Sequence, residues 1–358
     1  MLASIALLLT VATVATLELI TSTDRKTSMI TCAGFALAAL AYLTGDGSGP
    51  ALALVAVGGL TATSKMPGGS FSLQARKTCP TGNKLAEIPG TPCFMCFADE
   101  RGAYAWPMVI RAQIRRFEIL QEAITDKAKA AQWVTAFADH LNGKVTRAQK
   151  RLAKHLSAWA TVAEQDQDIA LWYRFEAASA RCSAGAKRIV KGGDATKEKP
   201  RCQELAAAYE EAAAAWQDLK TNTPARAKAL DAWRGYENSR YFRWHDSGDI
   251  FDPRYLAMIL QVCDRTPGVK HWLPTQERAM VTKSLKARPM PTNLAVRISS
   301  PKLNQHTTQK APGLLASSVT TDDTTTGSLC PAYSRGGICG PCRACWSVSV
   351  PLVTYPQH

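Results

Sequence analysis

The sequence has too few cysteines for a disulfide-stapled secreted domain. It contains 11 cysteines in 358 residues, and because that number is odd they cannot all pair within the chain. Small secreted scaffolds carry a much higher density. Most of these cysteines fall instead in two short windows, near residue 90 and in the C-terminal 30 residues. This distribution is typical of metal ligands in a reducing compartment.

Acidic residues are scarce relative to basic ones. There are 43 Lys and Arg against 29 Asp and Glu, a formal net charge of +14. Such an excess favours a polyanionic partner such as nucleic acid, although it says nothing about fold. Five basic residues are spaced by three or four positions, which would place them on one face of a helix, where they could contact phosphates. A helix face that is merely solvated has the same pattern. The five residues are Lys144, Arg147, Lys150, Arg151 and Lys154.

The N-terminus lacks a basic residue before its first apolar stretch, which disfavours a signal peptide. Residues 1–20 are almost wholly apolar, and residues 28–44 nearly repeat the pattern. Glu18, the many small residues and the short second stretch argue against two membrane spans. Buried helices or an overlong gene start are therefore expected, and any membrane attachment would depend on residues 1–44 alone.

The remaining chain divides by composition. An apolar segment, 1–56, precedes the first part of an α/β core at 57–120, where a strand is predicted at 70–75 and a helix at 106–120. Residues 121–236 are rich in Ala, Glu, Lys, Arg and Gln, which predicts a helical insertion with a loop at 191–200. The core continues at 237–328, and a cysteine-rich segment occupies 329–358.

Strand and helix patterns alternate from residue 241 onward. Strands are predicted at 241–244, 269–273, 294–298 and 317–320, and helices at 253–264, capped by Asp252, and 277–286. This alternation is typical of α/β proteins with parallel sheets. We expect a complete or partial parallel α/β barrel with a large helical insertion and a C-terminal Cys-rich metal-binding segment; an open doubly wound sheet is the alternative. Both place functional residues at the carboxyl ends of strands.

The C-terminal cysteine window predicts a metal site. It consists of Cys330, Cys339, Cys342 and Cys345. Runs of the form C-x-x-C-x-x-C are commonest around four-iron clusters, whereas zinc also accepts four thiolates but usually takes two separated C-x-x-C pairs. The spacing therefore favours iron–sulfur and leaves zinc open.

The first window consists of Cys79, Cys93 and Cys96 and follows the first predicted strand. Three cysteines without a fourth suggest a cluster with an open iron, or zinc with a position open to water or substrate. In the alternative, Cys79 is a core thiol and the other two join the distal window. Two metal centres are thus expected, the first of them reactive.

Polar residues follow several predicted strands. His245, Asp246 and Asp249 come directly after an aromatic strand and are candidates for proton transfer or cation binding; equally, such residues cap turns. Further candidates for substrate binding lie in or after neighbouring strands: Arg243, Thr275, Arg278, Arg297 and Ser299.

Several of these motifs together resemble the phage "gene product 88" family. They are Ser70-Phe71-Ser72-Leu73, Thr78-Cys79-Pro80, His245-Asp246-Ser247-Gly248-Asp249 and Cys339-Gly340-Pro341-Cys342-Arg343-Ala344-Cys345-Trp346. The resemblance covers about residues 57–120 and 238–358 and leaves out the helical middle. It implies a phage or prophage origin and the cytoplasm of the host cell, without indicating a reaction.

The chain is similar, more loosely, to radical S-adenosylmethionine enzymes, which set a three-cysteine iron–sulfur loop after the first strand of an α/β barrel. Their cysteines are spaced by four and three residues, whereas Cys79 lies far before Cys93. The similarity implies an enzyme with one or two iron–sulfur clusters and S-adenosylmethionine, acting here on nucleic acid or nucleotide. The alternative class is a zinc-stabilised nucleic-acid-binding protein without catalysis. Nothing indicates the oligomeric state.

Overall fold

The computed structural model describes residues 50–63, 65–94, 96–99, 102–190, 195–306, 308, 313–321 and 326–357. The expectations for residues 1–44 and for the Gly-rich part of the loop at 191–194 lie outside these ranges. Over the ranges given, no helix combines the length and apolar character needed to cross a bilayer.

The described helices begin where the sequence supplies a cap or a proline. Asp126 and Asp252 accept backbone N–H groups of the helices that follow them, and proline occupies the first turn of several others, where its missing N–H costs nothing. The helices are α1 Pro50–Ala56, α2 Pro80–Leu85, α3 Pro107–Ala123, α4 Lys127–Ala153, α5 Val162–Val190, α6 Ala195–Asn222, α7 Pro224–Ser239, α8 Pro253–Arg265 and α9 Arg278–Ala287.

The described strands form one sheet. They are β1 Thr61–Ala62, β2 Gly69–Phe71, β3 Tyr241–Trp244, β4 Lys270–Thr275, β5 Leu294–Ser299, β6 Leu314–Thr320, β7 Ser328–Leu329 and β8 Leu352–Pro356. Their order is β1-β2-β3-β4-β5-β6-β8-β7, and all neighbours are parallel except β1 and β2. The α/β class and the parallel sheet are therefore confirmed.

Closure into a barrel is not confirmed. Among the described strands, β1 pairs only with β2 and β7 only with β8, so the sheet stays open at two edges. The doubly wound alternative also fails, because the parallel strands from β2 to β6 follow one another without the reversal of direction that such a fold requires. From β2 to β6 the strands are parallel and follow chain order, whereas β1 is antiparallel and β8 lies between β6 and β7.

Helices cover one face of this sheet. Phe71 and Trp244 on the strands contact Trp133 and Phe137 of α4, with ring centroids 4.9–5.8 Å apart in the closest pairs, and α8 adds a wholly apolar face. Residues 121–236 are thus helical, as predicted, but α4 packs on the sheet and belongs to the main hydrophobic core. The rest builds a second apolar cluster around Trp159, Trp216 and Leu230.

The other face of the sheet is covered by the C-terminal segment. Trp346 contacts the rings of Tyr241 and Trp272 at 5.4 and 5.3 Å between centroids, and Cys345 and Val353 complete this small apolar cluster. The cysteine-rich segment is therefore an integral layer of the fold.

Candidate metal centre

The first cysteine window lies at the carboxyl edge of the sheet, against the loop that follows β3. The N–H of Leu73 donates to the carbonyl of Ser247 at 2.9 Å, and the Ser247 hydroxyl donates to the carbonyl of Leu73 at 2.8 Å. Gly248 has φ of +80°, and a Cβ there would lie 2.6 Å from Oγ1 of Thr78. Only glycine allows this approach, which brings the two loops together.

The three thiols of the first window lie close together. A Cβ on Gly82 would be 3.7 Å from Sγ of Cys93 and 3.9 Å from Sγ of Cys79. Burial raises the pKa of Cys79 most strongly, and Asp249, Cys96 and Cys93 raise it further. Burial and then Cys96 and Asp249 raise the pKa of Cys93 to about 11. Cys79 is thus grouped with the other two thiols rather than isolated in the core.

These thiols are not arranged as a finished ligand set. Within the described ranges, the structure holds no group of three or more His, Cys, Asp or Glu side chains that could bind a metal ion. The donor chemistry nevertheless suits soft metals, because closely spaced thiols become thiolate ligands when a cation offsets their mutual repulsion.

Asp249 joins this window to the end of β4. Its Oδ1 accepts from the Thr275 hydroxyl at 2.6 Å and the N–H of Ile250 at 2.7 Å, and its Oδ2 accepts from the N–H of Gln276 at 2.8 Å. Burial raises its pKa to about 7 in spite of these hydrogen bonds. A carboxyl group with a pKa near neutrality can both accept and return a proton, so the geometry fits the role predicted for Asp249.

Two further residues at the carboxyl edge of the sheet, Gln276 and Glu277, were not among the site residues predicted from the sequence. The carboxylate of Glu277 accepts from the N–H of Thr81 at 2.7 Å and from its hydroxyl at 2.8 Å, which fixes α2 directly after Cys79. The Gln276 side chain donates a hydrogen bond to the thiol of Cys93 and lowers its pKa. Both belong to the predicted polar strand end, but only the fold shows that they face the cysteines.

His245 is buried and electrically neutral. Burial, followed by Arg243, lowers its pKa to about 3, so it supplies no imidazolium near pH 7. Its Nε2 lies 2.9 Å from the hydroxyl of Tyr255, and its φ of +55° turns the chain sharply at the end of β3. Asp246 is half-buried and its carbonyl accepts from the Tyr104 hydroxyl at 3.2 Å. Of the three predicted proton-transfer residues, Asp249 is the best placed.

Arg297 requires a correction. It was predicted to bind substrate, but it is completely buried in β5. Its five N–H groups donate to the backbone carbonyls of five residues, Ala316, Ala344, Cys345, Ser347 and Val350, at 2.7–3.2 Å. No donor remains for a ligand. Arg297 instead fixes the loop that carries Cys345.

The other predicted substrate-binding residues separate into two groups. Thr275 holds Asp249, while Arg278 and Ser299 line a cavity of about 880 Å³ beside the first window. Arg243 lies on the opposite face of the sheet, with its guanidinium carbon 4.5 Å from the ring centroid of Trp272. The cavity is lined by Thr81, Leu85, Gln276, Arg278, Ala279, Thr282, Lys283, Lys286, Ile298, Ser299 and Pro301.

The four cysteines of the second window also gather at one place. Burial raises the pKa of Cys339 to about 12, and Cys345, Cys330 and Cys342 raise it further. The Cys345 thiol lies 3.1 Å from the hydroxyl of Tyr355 on β8, and the N–H of Cys330 donates to the same strand. The window is anchored to the sheet at both ends.

The second window also contacts the helical region. Gly336 lies so close to α5 that a Cβ would be 2.4 Å from the backbone of Ala180. Arg343 donates to the carboxylate of Glu237 at 3.3 Å and to the Tyr173 hydroxyl at 3.2 Å. These contacts were not predicted, because they join segments far apart in the chain.

The predicted basic face forms on α4. Arg147, Lys150, Arg151 and Lys154 are exposed, while Lys144 is half-buried and burial lowers its pKa. Exposed aromatic side chains occur elsewhere, on the stretch that carries Cys96: Phe94, Phe97 and Trp106 are 44%, 56% and 58% exposed. The basic residues and the exposed aromatic residues thus belong to different segments of the chain.

Comparison with known proteins identifies one family. Residues 195–348 match the model of the family described as Gene product 88, whereas no curated protein and no solved structure matches the chain. The match contains the loop at 245–249 and the whole second window, but neither residues 57–120 nor the first window. It also begins inside the helical middle, which was expected to lie outside. The predicted resemblance to the Gene product 88 family is thereby confirmed over residues 195–348.

Proposed function

We propose that this chain is an iron–sulfur enzyme of phage origin that acts on nucleic acid or nucleotide in the cytoplasm of the host cell. The observation that carries this proposal is the meeting of Cys79, Cys93 and Cys96 beside Asp249 at the carboxyl edge of the parallel sheet. In α/β folds this edge is where ligands bind and catalytic residues collect.

The topology supports a reactive cluster in the first window. The cysteines follow β2, the first parallel strand, and the strands from β2 to β6 continue in chain order. Radical S-adenosylmethionine enzymes also carry their cluster cysteines after the first parallel strand. Here the strands form an open sheet, which corresponds to a partial barrel. Cys79, Cys93 and Cys96 would hold such a cluster, which would supply one-electron reductive chemistry toward S-adenosylmethionine when an external reductant provides the electron.

The chain's own residues have distinct roles in this proposal. Asp249, with its pKa near 7, holds or moves a proton at its carboxylate. Gln276 hydrogen-bonds the Cys93 sulfur, and Glu277 fixes the start of α2. Neutral His245 orients the loop after β3.

The second window is proposed to hold an auxiliary or structural metal. Its thiols belong to Cys330, Cys339, Cys342 and Cys345, which lie between the sheet, α5 and the loop fixed by Arg297. Four thiolates brought together around a bound ion would suit a structural site.

Anaerobic purification tests the proposal. We expect brown protein with iron and sulfide in near-equal amounts, and loss of part of the iron in a Cys93→Ala/Cys96→Ala variant. Cys182→Ala is the matched control, since Cys182 is a partly exposed cysteine outside both windows. Colourless wild-type protein with stoichiometric zinc would refute the iron–sulfur proposal.

A zinc-stabilised nucleic-acid-binding protein is the second candidate, favoured by the exposed basic face of α4. Structural zinc contributes on the order of 10 kcal/mol in small modules, so chelation should then unfold the C-terminal segment. DNA affinity should fall steeply with salt, and Lys150→Gln/Arg151→Gln/Lys154→Gln should reduce that salt dependence. Turnover by purified protein would exclude this candidate.

A further inference from the structure

The charged residues that line the cavity beside the first cysteine window are all basic. Arg278, Lys283 and Lys286 are among the residues that line it, and none of the lining residues is acidic. The nearest buried carboxylates are already engaged: Glu277 accepts from Thr81, and Asp249 accepts from Thr275 and Gln276. Arg278 has a partner of its own, so Lys283 and Lys286 carry the positive charge that a bound anion would neutralise.

Hydrogen-bond donors and a helix end add to this charge. Thr282 lines the cavity, together with the first two residues of α9 and Ser299, whose hydroxyl lies 3.2 Å from that of Ser317. The N–H of Arg278, the first residue of α9, donates to the carbonyl of Gln276 at 2.8 Å, so the end of the helix adds positive potential only through its dipole. Phosphate is a biological anion that such a combination of ammonium and hydroxyl groups binds well.

The remaining lining is apolar and the cavity is large. Leu85, Ala279, Ile298 and Pro301 line it, and its volume of about 880 Å³ is much greater than a phosphate ion needs. A volume of this size is ordinary for a site that takes up a drug-sized molecule, although this cavity is open to solvent and would leave one side of the molecule exposed. The occupant therefore combines a phosphate with a sizeable flat or apolar group.

We propose that this cavity binds one nucleotide, with its phosphate at Lys283 and Lys286 on α9 and its base against Leu85 and Pro301. Thr81 and Gln276 form the wall between the cavity and the cysteines, so the other end of the nucleotide faces the first window. This inference rests on the proposed function for its link to chemistry, and it narrows the substrate class to a nucleoside phosphate, either free or within a single strand.

Calorimetric titration of the anaerobically purified full chain tests the inference, using AMP, adenosine, inorganic phosphate and ribose 5-phosphate as probes. AMP should bind at least tenfold more tightly than the other three, because only AMP supplies both parts. Lys283→Ala/Lys286→Ala should weaken AMP binding roughly ten- to hundredfold, the expected effect of losing hydrogen bonds to a charged group, and leave adenosine binding unchanged. Both side chains are exposed, so the variant should unfold at the same urea concentration as wild type.

Lys270→Ala is the matched control, since Lys270 is an exposed lysine at the opposite end of β4. It should bind AMP like wild type. A short single-stranded oligonucleotide that displaces AMP would place the nucleotide within a strand, and failure to displace it would indicate a free nucleotide. Absence of AMP binding by wild type would overturn the inference. So would an equal loss of AMP affinity in Lys283→Ala/Lys286→Ala and in Lys270→Ala.

Iron analysis of the same samples separates the two proposals. Brown protein that does not bind AMP would overturn the nucleotide site and leave the iron–sulfur enzyme standing. Colourless protein that binds AMP through Lys283 and Lys286 would support the site and refute the iron–sulfur enzyme.

Discussion

Replacing Arg297 with lysine is a direct test of how the second cysteine window is held. The guanidinium makes five hydrogen bonds to backbone carbonyls, four of them on residues 344–350. A lysine ammonium has three donors and no planar fork. At least two carbonyls would therefore lose their donor in the interior of the protein.

The magnitude follows from the number of unsatisfied acceptors. A buried acceptor without a partner costs roughly 1–3 kcal/mol, so Arg297→Lys should lower the free energy of unfolding by about 2–6 kcal/mol. Domains are stable by only about 5–15 kcal/mol, which makes this a large effect. Arg297→Met would remove every donor and is expected to prevent folding, so lysine is the informative substitution.

Urea unfolding of metal-free protein, followed by tryptophan fluorescence, measures this effect without the contribution of metal binding. Arg265→Lys is the control, because Arg265 is exposed and donates at 2.7 Å to the exposed hydroxyl of Thr135; we expect a change within about 0.5 kcal/mol. An Arg297→Lys variant as stable as this control would refute the structural role assigned to Arg297.

Three further predictions follow from buried groups. Burial raises the pKa of Asp249 to about 7, so the stability that its protonated form contributes is complete below about pH 4 and is lost as pH rises through 7. Asp249→Asn should remove this decrease in the free energy of unfolding, measured by urea titration of metal-free protein between about pH 4 and 8. If the variant shows the same pH dependence as wild type, the assignment is wrong. Gly248→Ala, which forces a Cβ into its neighbours at positive φ, should cost about 2 kcal/mol or more and reduce iron content, whereas Gly235→Ala, with open space around it, should be neutral or stabilising. Arg226→Ala, which leaves the buried Asp168 without its bidentate partner, should cost about 3 kcal/mol in thermal or urea unfolding; a loss below 1 kcal/mol would show that water replaces the arginine.

Much of the fold from residue 241 onward could be predicted because its signals are local. The strand at 241–244 and the cap at Asp252 are found where the sequence indicates, and the neighbouring elements differ by a few residues at their ends. Whether the sheet closes into a barrel could not be predicted, since closure depends on pairing between edge strands distant in sequence. Strand β8 was missed because Pro351 and Pro356 flank or end it, and proline normally argues against a strand in a sheet.

The site could be predicted in its composition but not in its arrangement. Residues at the carboxyl ends of parallel strands share an edge, which is why Asp249 and Thr275 meet. The direction of a side chain within a strand is harder to predict, because a residue near the end of β5 can point to solvent or into a layer packed on the sheet. Arg297 points into a layer that exists only because the C-terminal segment folds over the sheet.

The two cysteine windows differ in what surrounds them, and that difference determines what each can do. The first window adjoins a cavity of about 880 Å³ and a carboxyl group that titrates near neutrality, so a metal there would have access to a ligand and to a proton. The second is built into the layer formed by Trp346, Tyr355 and the hydrogen bonds of Arg297, with Cys345 buried and its other three cysteines partly exposed. A metal there would mainly stabilise the attachment of the C-terminal segment to the sheet.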